Sequence, residues 1–409
     1  MNPLLFAQSG DVTSWQTAKD FAAAFQKTLR DLSASDRIGS VEKVYSETSG
    51  ALENYIAVNS EILKNLERIN EKVSLVQSTN IKELTTDFYT DLYRHFVYFR
   101  SASAFYHLSM MFLCQVSGTI VTQTAEQLGL APVLLKEISL IAIGPTGRRE
   151  YSPFCPLQIL IVHGEATDTQ HHSIDLFSHA LHSRFEAAGI AVDPVVTPRN
   201  ARWRGNMTDW QLRCEDALHK QGDDLIDLCR LVDQYQLYSP ESAGMELKKI
   251  SSKFLNGSHS ALSNYIERMT SISNGVGLMG RLKLERSGSQ RGMFNLLDHG
   301  LLPFSAAMSA LALIKGSFAI SNCDRIHDLL KRGELDVELA ERMLKTWHTL
   351  NGLCLQLEHS TSLENHSRQA ICLDPDEFSA EQKQQLKETL ESVAFIQRHV
   401  AIVFSGIGE

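Results

Sequence analysis

One short segment combines residue types that could hold an anion. Residues 144–150 read Gly-Pro-Thr-Gly-Arg-Arg-Glu. A turn bounded by two glycines lets backbone N–H groups approach a ligand without interference from side chains. A helix beginning near the proline would add partial positive charge at its N-terminus, and Arg148 and Arg149 add two full charges. These residues form a credible phosphate-binding turn, although on their types alone a tight strand-to-helix turn with solvated arginines is the more common structure.

Two other groups of side chains have simpler explanations than chemistry. His163, His171 and His172 lack neighbours at the spacing of a closed metal site, so we expect solvated histidines. A basic loop carries Arg281, Lys283, Arg286 and Arg291, which either close over a nucleotide or are simply solvated. No G-x-S-x-G nucleophile elbow is present in the sequence.

Residues around the turn resemble the nucleotidyltransferase superfamily that includes DNA polymerase β and the PII-protein uridylyltransferases. The likeness is closest to a bacterial nucleotidyltransferase family found beside cyclic-nucleotide-binding and CBS domains. That family has a strand, then G-S-x-G-R-x-E, then D-x-D on the next strand. Gly144, Gly147, Arg148 and Glu150 match the first motif, and residues 151–154 match its linker.

The resemblance extends through most of the chain. Residues 200–210 resemble the family's N-x-x-W-R-G…W segment, and the C-terminal portion is similar to its accompanying helical domain. Supporting residues there are Gly300 to Pro303, Leu373 to Asp376, Val393, Ile396 and Gln397. The resemblance implies that Gly144, Thr146, Gly147, Arg148 and Arg149 bind a nucleotide.

The chain departs from the family at the metal ligands. Where the family has D-x-D, this sequence has Pro156-Leu157-Gln158. Nucleotidyl transfer uses two divalent ions, and Mg²⁺ prefers anionic oxygen ligands. Pro156 offers no side-chain ligand and Gln158 only a neutral oxygen. We therefore expect no catalytic residues, no metal site and no cofactor, with Mg²⁺ required only if the chain is active.

One remaining acid could partly replace the lost aspartates. Asp193 lies in the run Val-Asp-Pro-Val-Val at 192–196, which we predict as a third strand. The superfamily often places a third metal ligand in that region. One carboxylate is too few to hold two metal ions, so Asp193 is at most a residual acid.

The elements that must position these residues belong to an α+β fold. Apolar runs at 138–143 and 157–164 predict buried strands, and the pattern from 169 to 188 predicts a helix ending before Gly189. Helical patterns fill most of the remaining sequence, including everything after Trp210 apart from two loops, and Ser379 with Gln382 forms a predicted capping box. The prediction is a mostly helical chain with a small mixed-sheet nucleotidyltransferase-like domain between an N-terminal helical region and a C-terminal helical domain.

The N-terminal region contains an apolar seam with seven-residue spacing. The seam comprises Leu52, Tyr55, Ile62, Leu66, Ile69, Val73 and Val76. Such spacing suits a long helix that packs along a second one, in the same chain or in a second copy. Aromatic residues between 84 and 130 follow helical spacing and are expected in the core rather than as a stacking platform for bases. We place the domains at 1–112, 113–240 and 241–409.

The overall composition excludes several classes of function. The chain has 409 residues, 43% of them hydrophobic, and a formal net charge of −9. That charge argues against binding to nucleic acid or to anionic membranes. The seven cysteines form no CxxC pair, so we expect reduced thiols. No apolar stretch approaches the roughly 20 residues that span a bilayer, and no secretion signal is recognised, so a cytoplasmic protein is expected.

Three interpretations of function remain open at this stage. The first is a signalling protein related to the PII-uridylyltransferases that has lost catalysis and still binds a nucleoside triphosphate or another nucleotide. The second is an active nucleotidyltransferase that modifies a signalling-protein partner and holds metal through Asp193 and other acids. The third is a structural interaction module that forms a homodimer through its N-terminal helices.

Overall fold

The computed structural model describes residues 60–73, 80–220, 222–238, 243–277, 281–361 and 371–406. These residues are mostly helical and include a small mixed sheet, which confirms the predicted fold class. The chain divides into two compact units, Met1–Gln115 and Val116–Glu409. The three-domain boundaries stay a prediction.

The first unit is built from helices with an aromatic core. Residues 60–73 are helical, and Ile62, Leu66, Ile69 and Val73 are all buried within the single chain, as the seven-residue spacing predicts. Leu52, Tyr55 and Val76 of the same seam lie outside the described residues. Helix α1 (Ile81–Phe99) precedes α2 (Ala102–Gln127), which continues into the second unit.

Aromatic packing joins α1 to the first half of α2. Phe88 stacks on Phe112 with ring centroids 3.9 Å apart, and the Tyr89 hydroxyl hydrogen-bonds Ser109 at 3.0 Å. Both phenylalanines are buried. The core interpretation of this aromatic stretch is therefore confirmed for the residues described.

The second unit contains the sheet and its helices, in the order α3 (Pro132–Lys136), β1 (Ser139–Ile143), α4 (Gly144–Gly147), β2 (Ile159–Val162), α5 (Asp168–Ala187), β3 (Arg204–Gly205), α6 (Met207–Lys220), α7 (Asp223–Arg230) and β4 (Gln234–Tyr238). The strand order is β3-β2-β1-β4. Strand β1 pairs antiparallel with both neighbours, and β3 runs parallel to β2. Every residue of β1 and β2 is buried, which explains why both read as continuous apolar runs.

Two predictions about this sheet were wrong. Residues 192–196 form no strand, and only Val192 makes an isolated bridge, to Leu157. Pro194 has no N–H to donate, and the Asp193 carboxylate instead accepts the N–H groups of Val195 and Val196, both at 2.9 Å, which closes a turn. The second wrong prediction is that everything after Trp210 is helical apart from two loops, because β4 at Gln234–Tyr238 lies outside those loops and pairs with β1.

The remaining elements are α8 (Ala243–Asn256), α9 (His259–Thr270), β5 (Phe294–Asn295), a π-helical turn (Leu297–Leu301), α10 (Leu302–Ile314), α11 (Asn322–Lys331), α12 (Val337–Ser360), β6 (Cys372–Leu373) and α13 (Ala380–Ser405). Strands β5 and β6 pair with each other. The predicted capping box of Ser379 and Gln382 begins α13, and Gly189 follows α5 at φ +79°.

Two helical segments exceed the apolar length expected from the sequence. Ala102–Gln127 and Leu297–Ile314 are long and apolar enough to cross a membrane by length and composition alone. Within the protein, 56% and 67% of their most apolar windows are buried. Helix α10, inside the second segment, is buried at all positions from Pro303 to Leu313. More than half of each window is thus buried inside the protein, as in the core helix of a folded domain.

Candidate functional site

The predicted phosphate-binding turn is a single helical turn between two strands. Gly144 ends β1 in the left-handed region, at φ +64°, and Pro145 occupies the first turn of α4. The N–H of Ile143 donates to the carbonyl of Gln158 at 2.9 Å, which fixes the turn beside the start of β2. The helical start expected near Pro145 is therefore confirmed, although α4 is only four residues long.

The two glycines of the turn are needed for different reasons. A Cβ atom at Gly147 would lie 2.1 Å from the backbone oxygen of Asp233, just before β4. A Cβ atom at Gly144 would lie 2.5 Å from Oε1 of Gln158. The first contact is with backbone and cannot be relieved by rotating a side chain. Gly147 is therefore needed to pack the turn, and Gly144 is needed because its φ of +64° lies in the left-handed region.

The positions that replace the family's aspartates carry no pair of carboxylates. Gln158 donates its side-chain N–H to Oδ2 of Asp193 at 3.0 Å, so the structure does bring these two residues together. The other oxygen, Oδ1 of Asp193, is taken by the backbone turn described above. Pro156 contributes no polar side chain. Across the described ranges, no group of three or more His, Cys, Asp or Glu residues could hold a metal ion.

Arg148 points into a buried network of charges. Its guanidinium donates to Glu150 at 3.0 Å and to Asp233 at 2.8 Å. Burial opposes the charge on Arg148, but the carboxylates of Asp233 and Glu150 outweigh it and hold the pKa of Arg148 above its ordinary value. The positive charge expected to meet a phosphate is thus already paired within the protein.

The network continues into the C-terminal helices. Asp233 also accepts from Arg325 at 2.6 Å and from the Ser309 hydroxyl at 2.9 Å. Burial disfavours ionisation of Asp233, but Arg325 and Arg148 prevail and lower its pKa to about 2. We call Arg148, Glu150, Asp233 and Arg325 the charge cluster. Its two cations balance its two anions.

Glu150 is held by two further donors from distant helices. Its Oε1 accepts the side-chain N–H of Asn322 at 2.9 Å and the indole N–H of Trp347 at 2.8 Å. Asn322 and Trp347 lie on α11 and α12. The Gly-x-x-Gly-Arg-x-Glu motif therefore anchors the helical domain to the sheet, a role that sequence reasoning missed. Contacts that span up to 197 residues leave no local signal in a single sequence.

The other two residues of the turn are placed differently. Arg149 adopts φ +62°, and its Cζ atom lies 5.7 Å from the centre of the Tyr235 ring. The hydroxyl oxygen of Thr146 is buried and has no hydrogen-bond partner among the described residues. Nucleotide binding by Gly144, Thr146, Gly147, Arg148 and Arg149 stays a prediction.

The histidines and the basic loop give a mixed result. His163 is buried rather than solvated, hydrogen-bonds the Gly164 carbonyl at 2.7 Å and has its pKa lowered by that burial. The expectation that His163 is solvated was therefore wrong. His171 and His172 are exposed, as are all four basic residues of the 281–291 loop. The seven cysteines all lie within the described residues, and no two of them are joined by a disulfide bond.

The Trp-Arg-Gly segment forms a second packed feature. Trp203 and Trp210 are buried with ring centroids 6.4 Å apart, and the Arg213 guanidinium lies 4.7 Å above the Trp210 ring. A Cβ atom at Gly205 would lie 2.8 Å from that of Asp209, so only glycine fits there. The segment is thus a compact corner formed by β3 and α6.

These features define an α+β protein in which a nucleotidyltransferase-type sheet and turn are joined to a helical domain. Comparison with family models supports this class. Residues 77–224 match the family described as "Putative nucleotidyltransferase DUF294", and residues 259–404 match its "Putative nucleotidyltransferase substrate binding domain". The chain belongs to this nucleotidyltransferase family. A search of curated proteins found no significant match.

Proposed function

We propose that this chain is a nucleotidyltransferase-family protein without transferase activity, which acts in signal transduction by binding other molecules. The observation that carries the proposal is the hydrogen bond from Gln158 to Asp193 at the place where the family holds metal. A neutral amide supplies no charge to attract a divalent ion, and the remaining carboxylate is shared with two backbone N–H groups. Two-metal catalysis would require anions that these residues lack.

Several finer features of this proposal come from the resemblance. They are a relationship to the PII-uridylyltransferases, a bacterial cytoplasmic setting and a signalling-protein partner. A nucleotide bound by the turn would meet few free cations, because the charge cluster neutralises Arg148. We therefore expect any nucleotide affinity to be weak and insensitive to Mg²⁺.

A structural interaction module is the second candidate, and the same contacts favour it. The Gln158 amide lies against Gly144, and Arg148 pairs with Asp233 instead of facing solvent. Asp233 in turn accepts from Arg325 of α11. Unlike the first candidate, this one has no nucleotide affinity and forms a homodimer. A homodimer through the N-terminal helices stays a prediction, and the four described seam residues are already buried without a second copy.

The decisive experiment measures transfer of labelled nucleotide. The full chain is incubated with each of ATP, GTP, CTP and UTP, labelled at the α-phosphate, with Mg²⁺ or Mn²⁺ and a cell extract as acceptor. The expected result is no label on any protein above a heat-denatured control. Metal-dependent labelling that disappears in Asp193→Asn would instead establish the active-transferase interpretation, with Asp193 as a metal ligand.

Titration of the four triphosphates separates the two remaining candidates. Calorimetry with and without Mg²⁺ gives either weak, Mg²⁺-independent binding or none at all. Arg149→Ala is the test variant, because Arg149 is the arginine of the turn that lies outside the charge cluster. If binding is detected and Arg149→Ala weakens it, the turn holds the nucleotide.

A further inference from the structure

A groove among the C-terminal helices takes no part in the proposed function. It has a volume of about 350 Å³ and is lined by residues 270–274, at the end of α9, and by Ala394, Gln397, Arg398 and Ala401 of α13. None of these residues belongs to the turn at 144–150 or to the charge cluster. The groove is therefore a separate place in which to look for a ligand.

Three consecutive backbone N–H groups of the groove lining have no acceptor. Among the described residues, the N–H groups of Ile272, Ser273 and Asn274 donate to no backbone or side-chain oxygen. The N–H of Ser271, just before them, still donates to the carbonyl of Glu267 at 3.0 Å. All three residues are half-buried rather than sealed inside the fold. Successive backbone N–H groups in a turn of this kind form concave sites for anions.

The backbone that carries these N–H groups is held in place by its neighbours. The carbonyl of Ile272 accepts the side-chain N–H of Gln397 at 2.8 Å, and the carbonyl of Gly275 accepts the N–H of Lys283 at 2.8 Å. Gly275 adopts φ +70°, and a Cβ atom there would lie 2.6 Å from the ring of Phe294. The turn is thus fixed before any ligand arrives, which lowers the entropic cost of binding.

The charges at the groove are positive and unpaired. Arg398 is the one charged residue among the described residues that line the groove, and it is exposed and forms no ion pair with any of them. Lys283 reaches the lining, because its Nζ donates to Oγ of Ser273 at 2.9 Å, and its ammonium has two further N–H bonds to give. Lys387, on the same helix as Arg398, is by contrast paired with Glu391. On a chain of net charge −9, this groove attracts an anion.

A phosphate group matches this set of donors better than a carboxylate does. A phosphate monoester has three acceptor oxygens and close to two negative charges at neutral pH, whereas a carboxylate has two oxygens and one charge. The groove offers two cations, Arg398 and Lys283, beside the three backbone N–H groups. Its volume is within the range of about 300–1,000 Å³ that small-molecule sites occupy, which leaves room for more than the phosphate. We propose that this groove binds the phosphate group of a small molecule, either free phosphate or a nucleoside monophosphate.

Calorimetric titration of the full chain with five probes tests the proposal. The probes are inorganic phosphate, AMP, UMP, uridine and succinate. Phosphate and both monophosphates are expected to bind, and uridine and succinate are not. Tighter binding of AMP or UMP than of inorganic phosphate would identify a nucleoside monophosphate as the source of the phosphate group, and equal affinities would identify the free ion.

Two pairs of variants locate the binding. Arg398→Gln should weaken phosphate binding tenfold or more, because it removes a charged donor. Lys383→Gln is its control, since Lys383 is exposed on the same helix, roughly 22 Å along the axis from Arg398, and the change in charge is the same. Ala401→Glu should abolish binding by adding a negative charge to the lining, whereas Ala401→Gln, of equal size, should keep most of it. A nucleotide held by the turn at 144–150 would survive Ala401→Glu, so this proposal and the proposed function fail separately.

Four results would each overturn the proposal. They are no binding of phosphate or of either monophosphate at millimolar concentration, succinate binding as tightly as phosphate, equal affinities in Arg398→Gln and Lys383→Gln, and equal losses in Ala401→Glu and Ala401→Gln. Binding of tetraglutamate without binding of phosphate would also refute it, and would assign the groove to an acidic segment of a partner protein.

Discussion

Replacing Asp233 with asparagine should destabilise the second unit strongly. Burial alone would raise the pKa of Asp233, but the positive charges of Arg325 and Arg148 outweigh burial and lower this pKa from 3.8 to about 2. At 1.36 kcal/mol per pKa unit, that shift corresponds to about 2 kcal/mol of stabilisation at neutral pH. Asp233→Asn also leaves Arg325, whose side chain is 0% exposed, without its carboxylate partner. Removing one partner of a buried ion pair costs about 3–5 kcal/mol, so we expect a loss in that range.

The pH dependence gives this prediction its sharpest form. The folded-state pKa of Asp233 lies below the unfolded value, so its contribution is fully present above about pH 4 and is lost as pH falls toward 2. The difference in unfolding free energy between the wild type and Asp233→Asn should therefore be constant from pH 5 to 7 and shrink below pH 4. Urea unfolding followed by tryptophan fluorescence and far-UV circular dichroism measures it.

Asp216→Asn is the matched control for this measurement. Asp216 is exposed and, among the described residues, pairs only with the exposed Lys220 on the same helix, so its loss should change stability little. The reasoning about the charge cluster would be refuted if Asp233→Asn unfolded at the same urea concentration as Asp216→Asn. A large destabilisation that persisted unchanged down to pH 2 would refute the ionic explanation alone.

Three further predictions follow from the site. Gly147→Ala should destabilise the fold by several kcal/mol, since its Cβ would overlap the Asp233 carbonyl. Gly118→Ala is the control: its Cβ would lie 4.0 Å from the nearest neighbour, so the change should be neutral or stabilising. Thermal unfolding compares the two variants, and equal melting temperatures would contradict the packing argument. The double variant Pro156→Asp with Gln158→Asp should bind Mn²⁺, as measured by electron paramagnetic resonance, and adding Asp193→Asn should abolish that binding. Failure of the double variant to bind Mn²⁺ would mean that these positions no longer converge. Burial raises the pKa of Cys214 to about 12, so iodoacetamide at pH 8 should alkylate its thiol far more slowly than those of the half-buried Cys114 and Cys155. Mass spectrometry measures the three rates, and equal rates would contradict the effect of burial on Cys214.

The strands and helices that local sequence patterns specify were predicted correctly. The apolar runs of β1 and β2 are continuous because both strands are buried on both faces, and the helix α5 is marked by its cap and by Gly189. Strand β4 was missed, because Gln-Tyr-Gln-Leu-Tyr is short and mostly polar and becomes a strand only through pairing with β1. The supposed strand at 192–196 failed because one side chain, Asp193, competes for its backbone N–H groups.

The sequence by itself determined the family motifs, the loss of the D-x-D carboxylates and the helical character of the chain, because each of these depends on residues that are close together along the chain. Only the tertiary structure decided what the arginine and glutamate of the turn motif do. Arg148 and Glu150 meet partners 85 to 197 residues away, and a buried charge must find an opposite charge wherever the fold brings one.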